Sequence, residues 1–459
     1  MKMAEFHFKY YTQDDIKFID VTENIEPVIT SNYLEHFLDH IKETFISKSN
    51  GSLYRIQASN GAIKLLEKHL YMNSEQTEAA QKLVMELYRC LRNCVTNKTT
   101  QDYVAEETNI LVFTKSYVGK LYEDHLCLKI ILQFLINLIS SNSEVTRKVH
   151  ANFSDVFSKI IENKWCLYES AALIYNSALV VPPDVISIKC MFQLDEKNSE
   201  IEYVLFFFEK YISSNICWEL YNSFEIRHKI IILETLRYQQ IKKIQYFLPD
   251  SGIDVIVSGF LKSPDIFFKI STDTAQQEVR IVSLLLSIIS SCSSIDEYIV
   301  KLQQNKNILV TAAALLINFH KLGKEGDNMF KPVQKLSYSQ GDETENPVFG
   351  LKADLIQLIG NLCWKNNEMQ NLAREAEIIP VILDCCNMDA NNPFIIQWCI
   401  FAIRNFCENN PENQKFIAGL HKRGTVSSSV LESFGMTLHG DEDSELKIVP
   451  LDALKNESE

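Results

Sequence analysis

The sequence predicts an all-α chain built as an array of helical repeats, and three observations predict it. First, apolar residues recur at helical offsets along most of the 459 residues, with no comparably long region alternating with period two; second, glycine and proline are scarce at 14 and 11. Scarce turn residues argue against sandwiches and barrels, which need many sharp reversals. The third observation is self-similarity: LIGNLCWKNNEMQNL from Leu358 returns as AIRNFCENNPENQKF from Ala402, with identities at Asn361/Asn405, Cys363/Cys407, Asn366/Asn410, Glu368/Glu412 and Gln370/Gln414, an offset of 44 residues. Periods of roughly 40 to 47 residues with two or three helices each are the signature of armadillo and HEAT α-solenoid superhelices. A single unit of that kind cannot bury its own apolar face, so neighbours stack to complete the core.

Taken in order, the first clear pattern runs from Gln81 to Val95. The next is the cleanest: Leu128, Ile131, Leu132, Leu135, Leu138 and Ile139 share one helical face with polar residues between them. Similar patterns follow at Ala171–Ala178, Ile226–Leu236, Val279–Ile289, Ile308–Phe319, Leu351–Cys363, Ile378–Cys386 and Ile395–Cys407. About eight units are expected, with no clear phase between Pro182 and Asp273. From Gly323 to Pro347 clustered Gly, Pro, Asp and Glu predict a flexible polar loop, whose Ser337, Tyr338 and Ser339 offer hydroxyls to phosphorylation. After Gly419 the helical pattern stops; apolar runs flank the turn residues His439 to Asp443, which predicts a small helix followed by a β-hairpin.

Charge and composition exclude several classes of function. The formal net charge of −14 repels phosphate backbones and anionic headgroups, so nucleic acid is not an expected partner. No apolar run reaches the roughly 18 residues that a membrane span needs, and MKMAEFHFKYYTQDD lacks the apolar core and cleavage site of a secretory signal. Of the twelve cysteines, Cys90, Cys94, Cys127, Cys217, Cys363 and Cys399 sit singly in apolar helical segments, where a free thiol behaves as a small hydrophobe, and a reduced, cytoplasmic chain is expected.

No pattern of catalysis, metal or cofactor binding is found. The ten histidines are dispersed, Cys385 and Cys386 are adjacent rather than spaced for zinc, and no P-loop, G-x-G-x-x-G or nucleophile elbow occurs. The chain is therefore expected not to be an enzyme and to hold no cofactor. The recurring asparagines are the candidates that remain: Asn93, Asn137, Asn176, Asn318, Asn361 and Asn405, with Ser287 standing in the asparagine place of one unit. Such an amide either faces a groove and binds the backbone of an extended partner peptide, or bonds a neighbouring helix end within the array, because an unpartnered buried amide is costly. Of the residues four places before each, only Phe401 is aromatic, so the tryptophan row of importin-type grooves is missing. Asn366 and Asn410 suit helix caps, Pro411 a first helical turn, and Asn392 a cap before Pro393.

The run from Leu351 to Gln414, with LIGNLC, IPVILDCCN, NNPFI and AIRNFCENN in order, resembles the C-terminal domain of the ataxin-10 family. The resemblance implies a non-enzymatic armadillo-like protein of the cytoplasm, perinuclear or at the centrosome, cilium base or midbody. It also implies roles in cytokinesis, neurite outgrowth and neuronal survival. Implied partners are an O-linked N-acetylglucosamine transferase and a G-protein β subunit, with the C-terminal domain mediating homo-oligomer formation. The expected organisation is an N-terminal helical cap over 1–80, armadillo-like repeats over 81–322, the polar loop over 323–348, the C-terminal repeat domain over 349–420 and a tail over 421–459. A karyopherin-like or vesicle-tether adaptor for basic peptides is the competing expectation.

Overall fold

The computed structural model describes residues 52–71, 78–118, 125–197, 201–242, 248–264, 273–325, 328, 330–333, 348–420, 436–439 and 447–450. They form helices joined by short corners, with one two-stranded sheet. Two compact units divide the chain between Phe208 and Glu209. Among the described residues no single helix is long and apolar enough to cross a membrane.

In the first unit the helices are α1 (Ser52–Tyr71), α2 (Glu78–Cys94), α3 (Lys98–Glu106), α4 (Ile110–Val118), α5 (His125–Ile139), α6 (Ser143–Glu162), α7 (Leu167–Ala178) and α8 (Val185–Lys197). Helix α9 (Glu202–Tyr211) carries the division. The predicted apolar helix at Leu128 is α5, and it packs between α2 on one side and α7 on the other. Neighbours on several sides explain why Cys127, Leu128, Ile130, Ile131, Leu132, Phe134, Leu135, Leu138 and Ile139 are all buried, which one amphipathic stripe would not need. Each such fully buried Leu, Ile or Phe contributes about 1.5–3 kcal/mol of hydrophobic stabilisation before entropy is counted.

The second unit continues with α10 (Asn215–Tyr221), α11 (Ile226–Ile241), α12 (Asp250–Leu261), α13 (Asp273–Cys292), α14 (Asp296–Leu302), α15 (Lys306–Lys324), α16 (Leu351–Leu362), α17 (Asn367–Glu375), α18 (Ile378–Asp384), α19 (Ile395–Cys407) and α20 (Pro411–Ala418). Here α11, α13, α16 and α19 pack in that order as one row, the counterpart of α2, α5 and α7. Strands β1 (Met436–His439) and β2 (Lys447–Pro450) pair antiparallel, Thr437 opposite Val449, as the hairpin expectation requires. His439, read as the start of the turn, is the last residue of β1.

Two sequence expectations need correction. Helix α15 runs through Gly323 to Lys324, and the first part of the predicted loop is docked: Phe330 stacks on Phe319 at 4.6 Å, and Val333 N donates to Asp389 Oδ1 at 3.0 Å. Asn392 does not cap the helix that follows it. Its Oδ1 accepts from Lys352 N at 2.9 Å and Ala353 N at 3.3 Å, so it caps α16 from 40 residues away. Ser337, Tyr338, Ser339 and the small helix expected before the hairpin lie outside the described residues.

Candidate functional site

The repeat corner is built from local backbone chemistry. A helix of the row ends, one residue turns through positive φ, and an asparagine caps the next helix: Ser141 then Asn142, Lys365 then Asn366, Asn409 then Asn410, with φ of 58°, 51° and 54° at the first of each pair. Asparagine suits the cap because its side-chain oxygen takes an otherwise unpaired backbone N–H. Asn366 accepts from Met369 N at 3.1 Å and Asn410 from Asn413 N at 3.0 Å, with Pro411 in the first turn.

A glutamine then joins one repeat to the next. Gln101 gives its amide to the carbonyls of Asn137 and Ser140 at 2.9 and 3.0 Å, and its oxygen takes Asn142 Nδ2 at 3.2 Å. In the second unit Gln370 gives its amide to Asn405 O and Glu408 O at 2.9 and 3.1 Å, and its oxygen takes Asn410 Nδ2 at 3.1 Å. Gln303 holds Leu362 O and Trp364 O in the same way. Sequence reasoning missed these residues, although Gln101 and Gln370 each stand four places after a capping asparagine, Asn97 or Asn366.

The six candidate asparagines divide. Asn137 Nδ2 donates to Arg92 O at 3.0 Å and Asn405 Nδ2 to Gly360 O at 2.8 Å, each reaching the preceding helix of its row at a sequence separation of 45. Asn361 donates to Ser293 and Ser294 Oγ at 2.9 and 3.0 Å, at the corner after α13. Asn176 and Asn318 bond their own helices, at Ala172 O and Ala314 O. Asn318 stands on α15, outside the row, and Asn93 is exposed beside Arg92. Cys363 is buried in the core with its Sγ 3.4 Å from Met369 O, and burial pushes its thiol up.

Charge is also threaded through the second row. Arg237 Nη1 on α11 donates to Ser291 Oγ on α13 at 2.8 Å, and the Asp354 carboxyl on α16 is pushed up to about 6 by burial, against the pull of Arg237 and a hydrogen bond from Ser287.

One cluster has the outline of a nucleophile triad. Cys385 Sγ lies 3.3 Å from His320 Nδ1, and His320 Nε2 lies 2.8 Å from Asp384 Oδ2. Its chemistry opposes that role: burial pushes the Cys385 thiol up to about 12 and holds the His320 imidazole below its usual range, while Lys324 also occupies Asp384. The thiol stays protonated and packs. Among the described residues no group of three or more His, Cys, Asp or Glu is placed to hold a metal ion.

One face open to a partner is the end of the second unit's row. Phe394 precedes α19 as its N-cap, and Trp398 and Phe401 follow at helical spacing, Trp398 edge-on to Phe401 at 6.1 Å; Ile400 lies further round the same helix. Phe394 is 71% exposed and Ile400 60%. Phe394 also sits at φ 60°, a region that costs a bulky side chain about 1 kcal/mol or more. Beyond it Gln414 occupies the place of Gln370: its amide reaches Cys407 O at 2.8 Å as that of Gln370 reaches Cys363 O at 3.2 Å, yet Gln414 is exposed.

Comparison with known proteins places these features. The family model described as the spinocerebellar ataxia type 10 protein domain matches residues 351–449, which includes the end face and most of the hairpin. Ataxin-10 of Xenopus tropicalis is 29% identical over 392 residues, covering 78% of this chain and 79% of that protein. Ataxin-10 of Homo sapiens is 28% identical over 400 residues, covering 79% and 81%. A solved structure from work on a phosphorylation switch between cadherin and β-catenin covers 86% of this chain and 78% of its own, at a TM-score of 0.37 and 10% identity, too slight a likeness to add to the fold.

Proposed function

The chain belongs to the ataxin-10 family, and from that premise we propose that it is a non-catalytic scaffold that holds protein partners on its helical faces and associates with further copies through its C-terminal repeats. The end face of α19 carries the reading. Inner repeats cover this surface with the next helix of the row and engage the corner glutamine with its carbonyls; the last repeat presents exposed Phe394, Ile400 and Gln414 and half-buried Trp398 instead. Exposed aromatic anchors of this kind dominate the energy of protein interfaces.

The finer roles implied by the family belong to the same proposal: cytokinesis, neurite outgrowth and neuronal survival, in perinuclear cytoplasm or at the centrosome, cilium base or midbody. The first partners to test are an O-linked N-acetylglucosamine transferase and a G-protein β subunit. A karyopherin-like groove for basic peptides is the less supported reading, because Asn137, Asn361 and Asn405 use their amides within the chain.

Light scattering on the full chain during size exclusion tests the self-association. At about 10 μM, where a contact of about 7 kcal/mol is half formed, the wild type should exceed its 52.8 kDa monomer mass. Phe394→Asp with Ile400→Asp should restore the monomer with an unchanged Tm. A monomeric wild type at that concentration would remove the claim.

A further inference from the structure

In the first unit α7 and α9 meet along four aromatic rings. Tyr168 and Tyr175 stand two turns apart on α7, Tyr203 and Phe206 one turn apart on α9. Tyr203 lies edge-on to Tyr168 at 5.3 Å and to Phe206 at 6.3 Å, and tilted against Tyr175 at 5.8 Å; Tyr175 and Phe206 are 5.9 Å apart. The core does not need this cluster, because α7 buries Leu173 and Ile174 and α9 buries Val204, Phe207 and Phe208 on other faces. Two of the four rings look outward instead, while Tyr175 and Tyr203 are half-buried. Tyr168 is 47% exposed and Phe206 40%, with Leu205 beside them at 43%.

The charge around the rings selects what covers them. Glu202 is exposed next to Tyr203, whose hydroxyl is pushed up by burial first, then by its hydrogen bond with Tyr168, and to a lesser degree by the Glu202 carboxylate. Glu169, beside Tyr168, is held inside by Lys129 Nζ at 3.4 Å and Gln133 Nε2 at 3.3 Å. The cation–ring contacts formed among the described residues use Tyr221, Tyr238 and Trp364, none of these four. Electron-rich ring faces beside a carboxylate attract a cation. Nucleic-acid bases also stack on aromatic rings, but their phosphates would meet Glu202 and a chain of net charge −14.

We propose that the α7/α9 ring cluster binds an arginine-bearing extended segment of a protein partner, its guanidinium against Tyr168 and Phe206 and within reach of Glu202. Arginine suits the site better than lysine, because a flat guanidinium can stack on a ring while its fork faces a carboxylate. The site lies in the other unit from the α19 end face and rests on the scaffold reading only in taking a protein segment as ligand. The two tests therefore fail independently.

The experiment is an anisotropy titration of the full chain with a fluorescein-labelled Gly-Arg-Gly-Arg-Gly peptide and its citrulline counterpart, which keeps shape and removes charge. The arginine peptide should bind about tenfold more tightly, as a few cation–ring contacts permit. Tyr168→Leu with Phe206→Leu should bring it to the citrulline level with Tm unchanged, Tyr168→Phe should keep binding, and Glu202→Gln, an exposed change that cannot disturb the core, should weaken it about threefold. Equal binding of both peptides overturns the proposal. So does tighter binding of oligo(dT) or of an uncharged proline-rich peptide, no effect of Glu202→Gln, or no binding up to about 1 mM.

Discussion

The Gln370 amide gives hydrogen bonds to Cys363 O at 3.2 Å, Asn405 O at 2.9 Å and Glu408 O at 3.1 Å, and its oxygen accepts from Asn410. All of this happens at zero exposure. Replacing Gln370 by Leu leaves polar groups of two repeats without that partner, and a buried polar group stripped of its partner costs about 1–3 kcal/mol. Chemical denaturation should show a loss of about 2–3 kcal/mol for Gln370→Leu, against less than about 0.5 for exposed Asn93→Ala; a loss under about 1 for the glutamine would show that the corner does not depend on it. The contrast also explains what could be read beforehand. An asparagine in an apolar helix stands out, so Asn137, Asn361 and Asn405 were legible as candidates. Gln370 was legible only as a repeat identity with Gln414: it sits in the polar run NNEMQNL, where nothing marks it as buried, and its burial is imposed by a repeat 35 to 38 residues further on.

Helices α16 and α19 pack closely because Gly360 faces Ala402. A Cβ added at Gly360 would stand 3.0 Å from both Cα and Cβ of Ala402, and the same approach lets Asn405 Nδ2 reach Gly360 O. Alanine is the better helix former by about 1 kcal/mol, so propensity alone predicts that Gly360→Ala stabilises. Overpacking opposes it with about 1–3 kcal/mol, and the net expectation is a lower Tm. Gly419→Ala, whose added Cβ meets neighbours at an ordinary 3.5 Å, is the control and should leave Tm unchanged. A Tm equal to or above wild type for Gly360→Ala would mean that the two helices separate freely. At this scale most of the fold was legible: the pattern over Ile395–Cys407 is α19 to the residue, and that over Leu351–Cys363 is α16 with one residue more. The phase of the repeats from Pro182 to Asp273 was not legible, although Ile226–Leu236 reads as helical and lies in α11. Helix α11 there has Arg227, Tyr238 and Ile241 exposed on a helix otherwise half-buried to buried, so no single polar stripe marks its phase. Asn392 misled for a related reason: the backbone N–H it takes, that of Lys352, lies 40 residues before it, and local spacing cannot reveal a partner in another repeat.

A chain whose repeats touch mainly their neighbours should unfold in pieces. Stability in such an array is close to a sum of repeat and nearest-neighbour terms, so damage at one corner weakens the repeats beside it and fades with distance. The glutamine corners give those terms a physical identity, since Gln101 joins α3 to the end of α5 in the first unit and Gln370 joins α17 to the end of α19 in the second. Hydrogen exchange followed by mass spectrometry on Gln370→Leu can read this directly. Amides of Leu351–Ala418 should exchange faster by about 30- to 150-fold, the equivalent of the 2–3 kcal/mol expected from the lost hydrogen bonds. Those of Glu78–Ala178 should keep their wild-type rates, because no hydrogen bond described for the Gln370 corner reaches that unit. Equal acceleration in both segments would show one cooperative core in place of a repeat array, and the corner glutamines would then be ordinary buried polar groups instead of the joints between repeats.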